Sequence, residues 1–370
     1  MIRGDINKKK SFLLNIIILI VTISFLLIIS EVALRAIVPY SSLFKYSKDL
    51  EYEMRPNKHI KFNTFEFKTD VQTNSIGLRD KEYGEKDEDT FRILGLGDSF
   101  AFGQGVQLNG TFLKLLEEKL NKDDDRMQFE VINAGVPGYD TKRELEYLQK
   151  KGKDLSPDLI LLTFVLNDPL SNSGVFYYTA IPNNALRYLP FHSFGFLATR
   201  FKNLRYSLNK FGLNVTSSYK SYCNNETSTK WGTILMMKNP PEFVDQAWNK
   251  TYAMLRNVSI LARRSNSNFV IVLLPLKQHV FPDTADACLK ISDYDFDIPS
   301  KILKKFSQEH NVQFIDLTPE FKKFEITQIY LKVDNHLTRE GHRIVADYIY
   351  KNLINGHHLV RIPNAVPLQT

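Results

Sequence analysis

The chain has 370 residues, of which 43% are apolar and 24% are charged, an ordinary composition for a globular protein with one sizeable core. Its net charge of +7 is not accompanied by a nucleic-acid-binding module, so nucleic acid is not a predicted partner. The two cysteines, Cys223 and Cys288, lack a CxxC spacing, which argues against a metal cage or a disulfide framework and leaves one disulfide between them open.

An uncharged, mostly apolar stretch at residues 11–30 directly follows Lys8, Lys9 and Lys10. A helix of about 20 residues spans about 30 Å, the thickness of the bilayer hydrocarbon, and basic residues before such a span stay in the cytoplasm. The sequence therefore predicts a single-pass membrane protein, with residues 1–10 cytoplasmic, a transmembrane anchor at 11–30 and the remainder extracytoplasmic. A cleaved signal peptide is the alternative, but its apolar region is usually shorter, about 7–15 residues, and ends at an A-x-A-like site.

After a connector and N-terminal extension at 31–90, short apolar runs alternate with amphipathic segments. The apolar runs are predicted strands, at 91–96, 129–133, 159–165, 269–274 and 312–316. The amphipathic segments are predicted helices, at about 111–121, 141–151, 246–264, 299–309 and 338–353. Strands that are apolar throughout and separated by helices indicate a parallel sheet covered on both faces.

The predicted fold class is therefore α/β, a three-layer α/β/α sandwich with a parallel five-stranded sheet over residues 91–354. Residues 169–245 interrupt the alternation with an aromatic, basic segment, and residues 355–370 form a C-terminal tail. Loops above a rigid scaffold usually set substrate choice, so the insertion is expected to cover the site.

Chemically capable residues follow several of the predicted strands, where open α/β sheets bind their ligands. Gly97-Asp98-Ser99 ends the first strand, Asn133-Ala134-Gly135 the second and Leu166-Asn167-Asp168 the third, while Asp334-Asn335-His336 precedes the last helix. The carboxyl ends of parallel strands lie at one edge of the sheet, so these segments are expected to converge there.

In this order the four segments resemble the sequence blocks of the SGNH/GDSL hydrolases, over residues 91 to about 354. The resemblance implies a flavodoxin-like α/β/α fold that hydrolyses or transfers ester-linked acyl groups, without a metal or an organic cofactor. It further implies that Ser99 is the nucleophile, and that Gly135 and Asn167 join the Ser99 amide in an oxyanion hole.

Elementary chemistry agrees with these roles. A serine hydroxyl such as that of Ser99 needs a base to take its proton, and the imidazole of His336 suits that task. Asp334 is the nearest carboxylate in sequence that could orient this imidazole. The Gly135 N–H, unshielded by a Cβ, and the Asn167 amide could donate to the oxyanion, each contributing about 3 kcal/mol.

Two positions depart from the family pattern. Val165 stands where the third block commonly has glycine, which indicates either a narrower acyl pocket or a variant strand end. Asp334 and His336 are one residue closer than in the common Asp-x-x-His block. That spacing resembles relatives that move acetyl groups on polysaccharides, and it leaves the orienting role of Asp334 open.

Other motifs fit the segment around Ser99 less well. Gly95-x-Gly97 resembles a dinucleotide fingerprint, but Phe100 occupies the third glycine position. Ala101 stands in place of the last glycine of the Gly-x-Ser-x-Gly elbow of α/β-hydrolases.

The sequence thus predicts a membrane-anchored, extracytoplasmic serine esterase that acts on an acyl ester, including an O-acetyl ester, carried by a glycan or a lipid. Two alternatives remain open. The first is an O-acyltransferase that uses the same triad and passes the acyl group to a cell-envelope glycan. The second is a glycan-binding or assembly protein without catalytic activity.

Overall fold

The structure, a computed structural model, describes residues 12, 14–29, 43–64, 66–123, 127–172, 233–284, 291–332 and 334–356. Several predictions lie outside these residues: the cytoplasmic segment at 1–10, most of the insertion at 169–245, and the tail beyond residue 356. The pair Cys223 and Cys288 also lies outside them.

Helix α1 (residues 14–29) lies within the predicted anchor, and its described side chains are exposed. Among the described residues, no helix combines the length and the apolarity of a membrane span. The described residues from 43 onward belong to one compact unit, called here the second unit, and helix α1 belongs to the first. The elements below all belong to the second unit.

Four short strands form two antiparallel hairpins in the predicted N-terminal extension. Strand β1 (Phe44–Ser47) pairs with β2 (Glu51–Met54), and β3 (His59–Asn63) pairs with β4 (Lys68–Gln72). Their weakly periodic sequence did not indicate these strands, because β1 and β3 have no buried position, β2 has one and β4 has two.

The central sheet has five parallel strands, as predicted. They are β5 (Thr90–Gly97), β6 (Gln128–Gly135), β7 (Leu159–Val165), β8 (Asn268–Leu274) and β9 (Gln313–Asp316). Their order is β6-β5-β7-β8-β9, with every neighbouring pair parallel. The chain leaves β5 toward one edge to form β6 and then crosses to the other side of β5 to form β7. This reversal places the ligand crevice of a doubly wound sheet at the carboxyl end of β5.

The longer helices match the predicted ones to within a few residues. They are α3 (Phe112–Asp123), α4 (Thr141–Lys150), α6 (Glu242–Arg264), α8 (Ile298–His310) and α11 (Arg339–Asn355). Five single-turn helices lie at strand ends or in loops, namely α2 (Ser99–Phe102), α5 (Asp168–Asn172), α7 (Lys277–Val280), α9 (Thr318–Phe321) and α10 (Ile326–Ile329). Polar caps fix two starts: Asp140 accepts from the Arg143 N–H before α4, and Thr338 accepts from the Gly341 N–H before α11.

Two hydrophobic clusters cover the two faces of the sheet and make it the middle of three layers. Alternate residues of each strand point to opposite clusters, as in β5, where Ile93 joins one and Leu94 the other. One cluster includes buried residues of α3 and α11, and the other includes residues of α4, α6 and α8. Burial on both faces explains why the central strands are apolar throughout.

Arg79 attaches the N-terminal segment to the first βα turn of the sheet. Its side chain is 1% exposed and donates to the carbonyls of Phe102, Gly103 and Val106 at 2.7–2.8 Å. Its guanidinium also lies 4.8 Å from the centre of the Phe102 ring. A buried cation requires such partners, so the contact fixes the turn that follows α2.

We predict that Arg79→Met lowers the free energy of unfolding by about 3 kcal/mol, because it leaves three buried carbonyls without their donor. Urea denaturation followed by circular dichroism measures the change. The matched control is Arg343→Met, which removes an exposed guanidinium paired with Glu340 and Asp347 and should cost no more than about 0.5 kcal/mol. Equal losses in both variants would contradict the anchoring role of Arg79.

Candidate active site

Ser99 is the first residue of α2, and only Asp98 separates it from the interior strand β5. Asp98 caps this helix, because its Oδ1 accepts from the Phe100 N–H at 2.9 Å. Within the described part of the chain, the Ser99 N–H has no hydrogen-bond partner, and the residue is half-buried. The turn therefore presents both the hydroxyl and a free backbone donor at the carboxyl edge of the sheet.

His336 connects Ser99 to Asp334. Its Nε2 lies 2.6 Å from Ser99 Oγ, and its Nδ1 contacts Asp334 Oδ1, which also accepts the backbone N–H of His336 at 3.0 Å. The Phe100 ring packs against the imidazole with 4.7 Å between ring centres. A carboxylate on Nδ1 favours the tautomer whose Nε2 can accept the serine proton. The structure thus brings together the three predicted triad residues despite the short Asp334-x-His336 spacing.

The charge state of Asp334 suits an orienting carboxylate. Burial raises the pKa of Asp334, but hydrogen bonds from His336 and Gln104 and the charge of His336 outweigh it, so the pKa lies below its usual value. An ionised carboxylate at this position would stabilise the imidazolium that forms when the base takes a proton.

Asn167 lies directly after β7, and Asp98 fixes its side chain. The Asn167 Nδ2 donates one hydrogen to Asp98 Oδ2 at 3.1 Å, which leaves the second amide hydrogen for another acceptor. Burial raises the pKa of Asp98, although hydrogen bonds from Phe100 and Asn167 and the charge of His336 act against it. One carboxyl group therefore ties the helix of the nucleophile to the predicted oxyanion donor.

The geometry does not favour Gly135 as an oxyanion donor. This glycine is buried, and its N–H donates to Asn133 Oδ1 at 3.0 Å. A Cβ at Gly135 would lie 2.2 Å from the Phe102 nitrogen, so the glycine is needed for the close approach of α2 to β6.

Gly138, in the turn after β6, is the glycine of this segment whose N–H is not already used. It is exposed, has a left-handed φ of 82°, and its N–H has no hydrogen-bond partner in the described ranges. The sequence prediction named Gly135, which is the first glycine of the Gly135-Val136-Pro137-Gly138 segment. The two glycines differ in burial, because Gly135 is buried and Gly138 is exposed, and the sequence shows this difference only indirectly.

Two further residues have structural roles. Val165 is 1% exposed and belongs to the core cluster under α3 and α11, so its side chain fills the core and does not narrow an exposed acyl pocket. His342 is buried and its Nδ1 accepts from the Phe112 N–H at 3.2 Å. Burial lowers the pKa of His342 to about 3, so the ring stays neutral and packs in the core.

Sequence analysis did not identify a group of buried acids below the site. Asp168, next to Asn167, accepts from Thr141 Oγ1 at 3.0 Å, while both carboxyl oxygens of Glu144 lack a partner within the described residues. Burial, and then the charges of Asp168, Asp98 and Asp140, raise the pKa of Glu144 well above its usual value. In the described part of the chain, no group of three or more His, Cys, Asp or Glu is arranged to hold a metal ion.

We predict that Glu144→Gln stabilises the protein increasingly as the pH rises. A raised pKa means that the folded state keeps a proton that the unfolded chain releases above about pH 4.3. The stability of the unmodified protein therefore falls from that pH up to the raised pKa, and the glutamine variant escapes this loss. Urea denaturation from about pH 5 to about pH 9 measures the difference.

Glu118→Gln is the control for this experiment, because Glu118 is exposed on α3 and should give a difference that is small and independent of pH. A difference between Glu144→Gln and the unmodified protein that stays constant or shrinks toward alkaline pH would show that Glu144 ionises normally in the fold.

Comparisons with known proteins identify the family of this chain. A family model described as GDSL-like Lipase/Acylhydrolase family matches residues 96–344. Solved structures that match include the acetyl xylan esterase AlAXEase, with 14% identity, a TM-score of 0.41 and coverage of 71% of this chain and 100% of that chain. TesA matches with 11% identity, a TM-score of 0.43 and coverage of 73% and 99%. The psychrotrophic esterase EstA from Pseudoalteromonas sp. matches with 12% identity, a TM-score of 0.40 and coverage of 72% and 98%. No curated protein matches the chain.

Proposed function

Because this chain belongs to the GDSL-like lipase/acylhydrolase family, we propose that it hydrolyses acyl esters through a covalent intermediate on Ser99. The observation that carries the proposal is the position of the His336 ring, with Nε2 2.6 Å from Ser99 Oγ and Nδ1 on the carboxylate of Asp334. This arrangement pairs a nucleophile with a base that a third group orients.

The reaction proceeds in two halves. Ser99 Oγ attacks the ester carbonyl carbon while His336 Nε2 takes its proton, and the imidazolium then gives that proton to the departing alcohol. Water attacks the acyl-enzyme with His336 again as base, which releases the acid and restores the hydroxyl. The negative oxygen formed in each half accepts hydrogen bonds from the Ser99 N–H, the second amide hydrogen of Asn167 and the Gly138 N–H.

The proposed substrate is an acyl ester, including an O-acetyl ester, on a glycan or lipid outside the cytoplasm. The resemblance of the Asp334-x-His336 spacing to relatives that move acetyl groups on polysaccharides supports the acetyl ester. The apolar segment at 11–30 after three lysines supports the location.

We predict that Ser99→Ala lowers kcat on p-nitrophenyl acetate by at least about 10³-fold, because the variant lacks the attacking oxygen. The full-length protein purified in detergent is assayed by release of p-nitrophenol, and a fluorophosphonate probe reports the reactive serine by mass spectrometry. Ser300→Ala, on α8, is the matched control and should keep both activity and labelling. Labelling that persists in Ser99→Ala would assign the nucleophile elsewhere.

An oligosaccharide acceptor in the same assay separates hydrolysis from transfer. Release of free acetate with no acetylated oligosaccharide supports the esterase, whereas Ser99-dependent acetylation of the oligosaccharide favours the O-acyltransferase. A folded protein that shows neither activity nor labelling would favour the glycan-binding or assembly role.

We predict that the chain fractionates with membranes through residues 11–30, because this segment is apolar enough to leave water. Membranes washed with alkaline carbonate should retain the full-length protein, and deletion of residues 1–42 should release it. The deletion ends at residue 42, before the first strand of the second compact unit. Loss of the fold of that unit is therefore a poor explanation for release. A mature chain that starts near residue 37 would show a cleaved signal peptide instead.

A further inference from the structure

All four polar groups of Asp334 are held by other residues. Its N–H donates to Glu66 Oε2 at 2.8 Å, and its carbonyl accepts from Lys277 Nζ at 3.3 Å. Its Oδ1 accepts from His336, and its Oδ2 accepts from Gln104 Nε2 at 3.3 Å. The backbone of the catalytic acid is thus held on one side by an anion and on the other by a cation.

These contacts come from three separate parts of the second compact unit. Glu66 lies in the turn between β3 and β4, which precedes the segment matched by the family model. Gln104 follows the short helix of the nucleophile, and Lys277 begins α7 after β8. Since the contacting residues are distant in sequence, the contacts depend on the complete tertiary structure.

Lys277, beside the Asp334 carbonyl, is unusual because lysine side chains are rarely buried. Only 9% of it is exposed, and its Nζ also donates to the Leu331 carbonyl and lies 5.8 Å from the centre of the Tyr330 ring. Burial of an ammonium group costs free energy unless it is hydrogen-bonded. This cation donates to two backbone carbonyls of the loop that carries the catalytic acid, so its burial serves the geometry of that loop.

The loop that carries Asp334 and His336 is short. An antiparallel bridge joins Tyr330 to Leu337, and the Leu331 N–H donates to the His336 carbonyl at 2.9 Å. Only one residue separates the acid from the base, so the Asp334 carboxylate has to turn back onto the imidazole within this loop. Rotation of the Asp334 backbone would move the carboxylate away from Nδ1.

We propose that Glu66 and Lys277 are positioning residues that fix the backbone of Asp334 and thereby direct its carboxylate to His336. The inference rests on the proposed triad and deepens it. It also assigns the hairpin of β3 and β4 a role in catalysis, because that hairpin supplies one of the two contacts to the Asp334 backbone.

The test measures whether both residues act through Asp334. Glu66→Ala and Lys277→Met are each made alone and in an Asp334→Ala background, and kcat and KM on p-nitrophenyl acetate are measured in the full-length protein. Each single variant should lower kcat by about 10- to 100-fold with KM changed less than about threefold, because the acid is misdirected while the substrate site is unchanged. In the Asp334→Ala background neither change should lower kcat further, since interacting residues are not additive.

Matched controls lie close to both residues. Lys332→Met changes an exposed lysine on the same loop, and Glu82→Ala changes an exposed glutamate that contacts Ser75 in the N-terminal segment. Both should retain normal kcat. Lys277→Arg should recover part of the activity, because a guanidinium also donates to two carbonyls.

Two results would overturn the inference: normal kcat in both Glu66→Ala and Lys277→Met, or equal further losses in the Asp334→Ala background. Circular dichroism melting identifies a variant that does not fold. If Lys277→Met does not fold, Glu66→Ala alone and Glu66→Ala in the Asp334→Ala background test the inference. Failure of the proposed function itself is distinct, since the unmodified protein would then show no esterase activity, or Ser99→Ala would keep it.

Discussion

The hydrogen bond between Ser99 and His336 joins two residues that are 237 positions apart in sequence, and it depends on the order of the sheet. Ser99 follows the interior strand β5, where the order of the strands reverses, so loops from both sides of that point can reach it. His336 arrives from the loop between α10 and α11, beyond the edge strand β9. A change in strand order would separate the nucleophile from its base, so topology is the first requirement of the chemistry.

Once topology has brought the residues close, buried polar groups fix their orientation. Asp98 uses one oxygen to cap the helix of Ser99 and the other to hold Asn167, so the proposed nucleophile and the proposed oxyanion donor share one support. Arg79 and Lys277 bind backbone carbonyls next to the nucleophile and next to the catalytic acid, respectively. Such groups are expensive to bury, and active sites often carry this cost because positioning within a fraction of an ångström determines the rate.

The central sheet was predictable because its interior strands are buried on both faces, which produces the continuous apolar runs of β5, β7 and β8. The proximity of Ser99 and Asn167 was predictable because both follow strands of the sheet, and that of His336 because its block precedes the last helix in the order of the family. The choice between Gly135 and Gly138 required coordinates, since both glycines precede a plausible turn and only the structure shows which N–H is already used. The contact between Glu66 and Asp334 carries no sequence signal, because it joins residues 268 positions apart through one hydrogen bond.

The segment before β5 meets the site at more than one point, which changes where the functional unit begins. Arg79 holds the turn after the nucleophile helix, and Glu66 holds the backbone of the catalytic acid. Tyr52 donates to the Pro137 carbonyl at 3.0 Å, next to the free N–H of Gly138. A domain boundary drawn at residue 91 from the hydrophobic pattern would cut all three contacts. The sheet alone would keep the four sequence blocks. The loops that carry these blocks, however, would lose the hydrogen bonds that fix their geometry. We therefore place the start of the catalytic unit at the first hairpin.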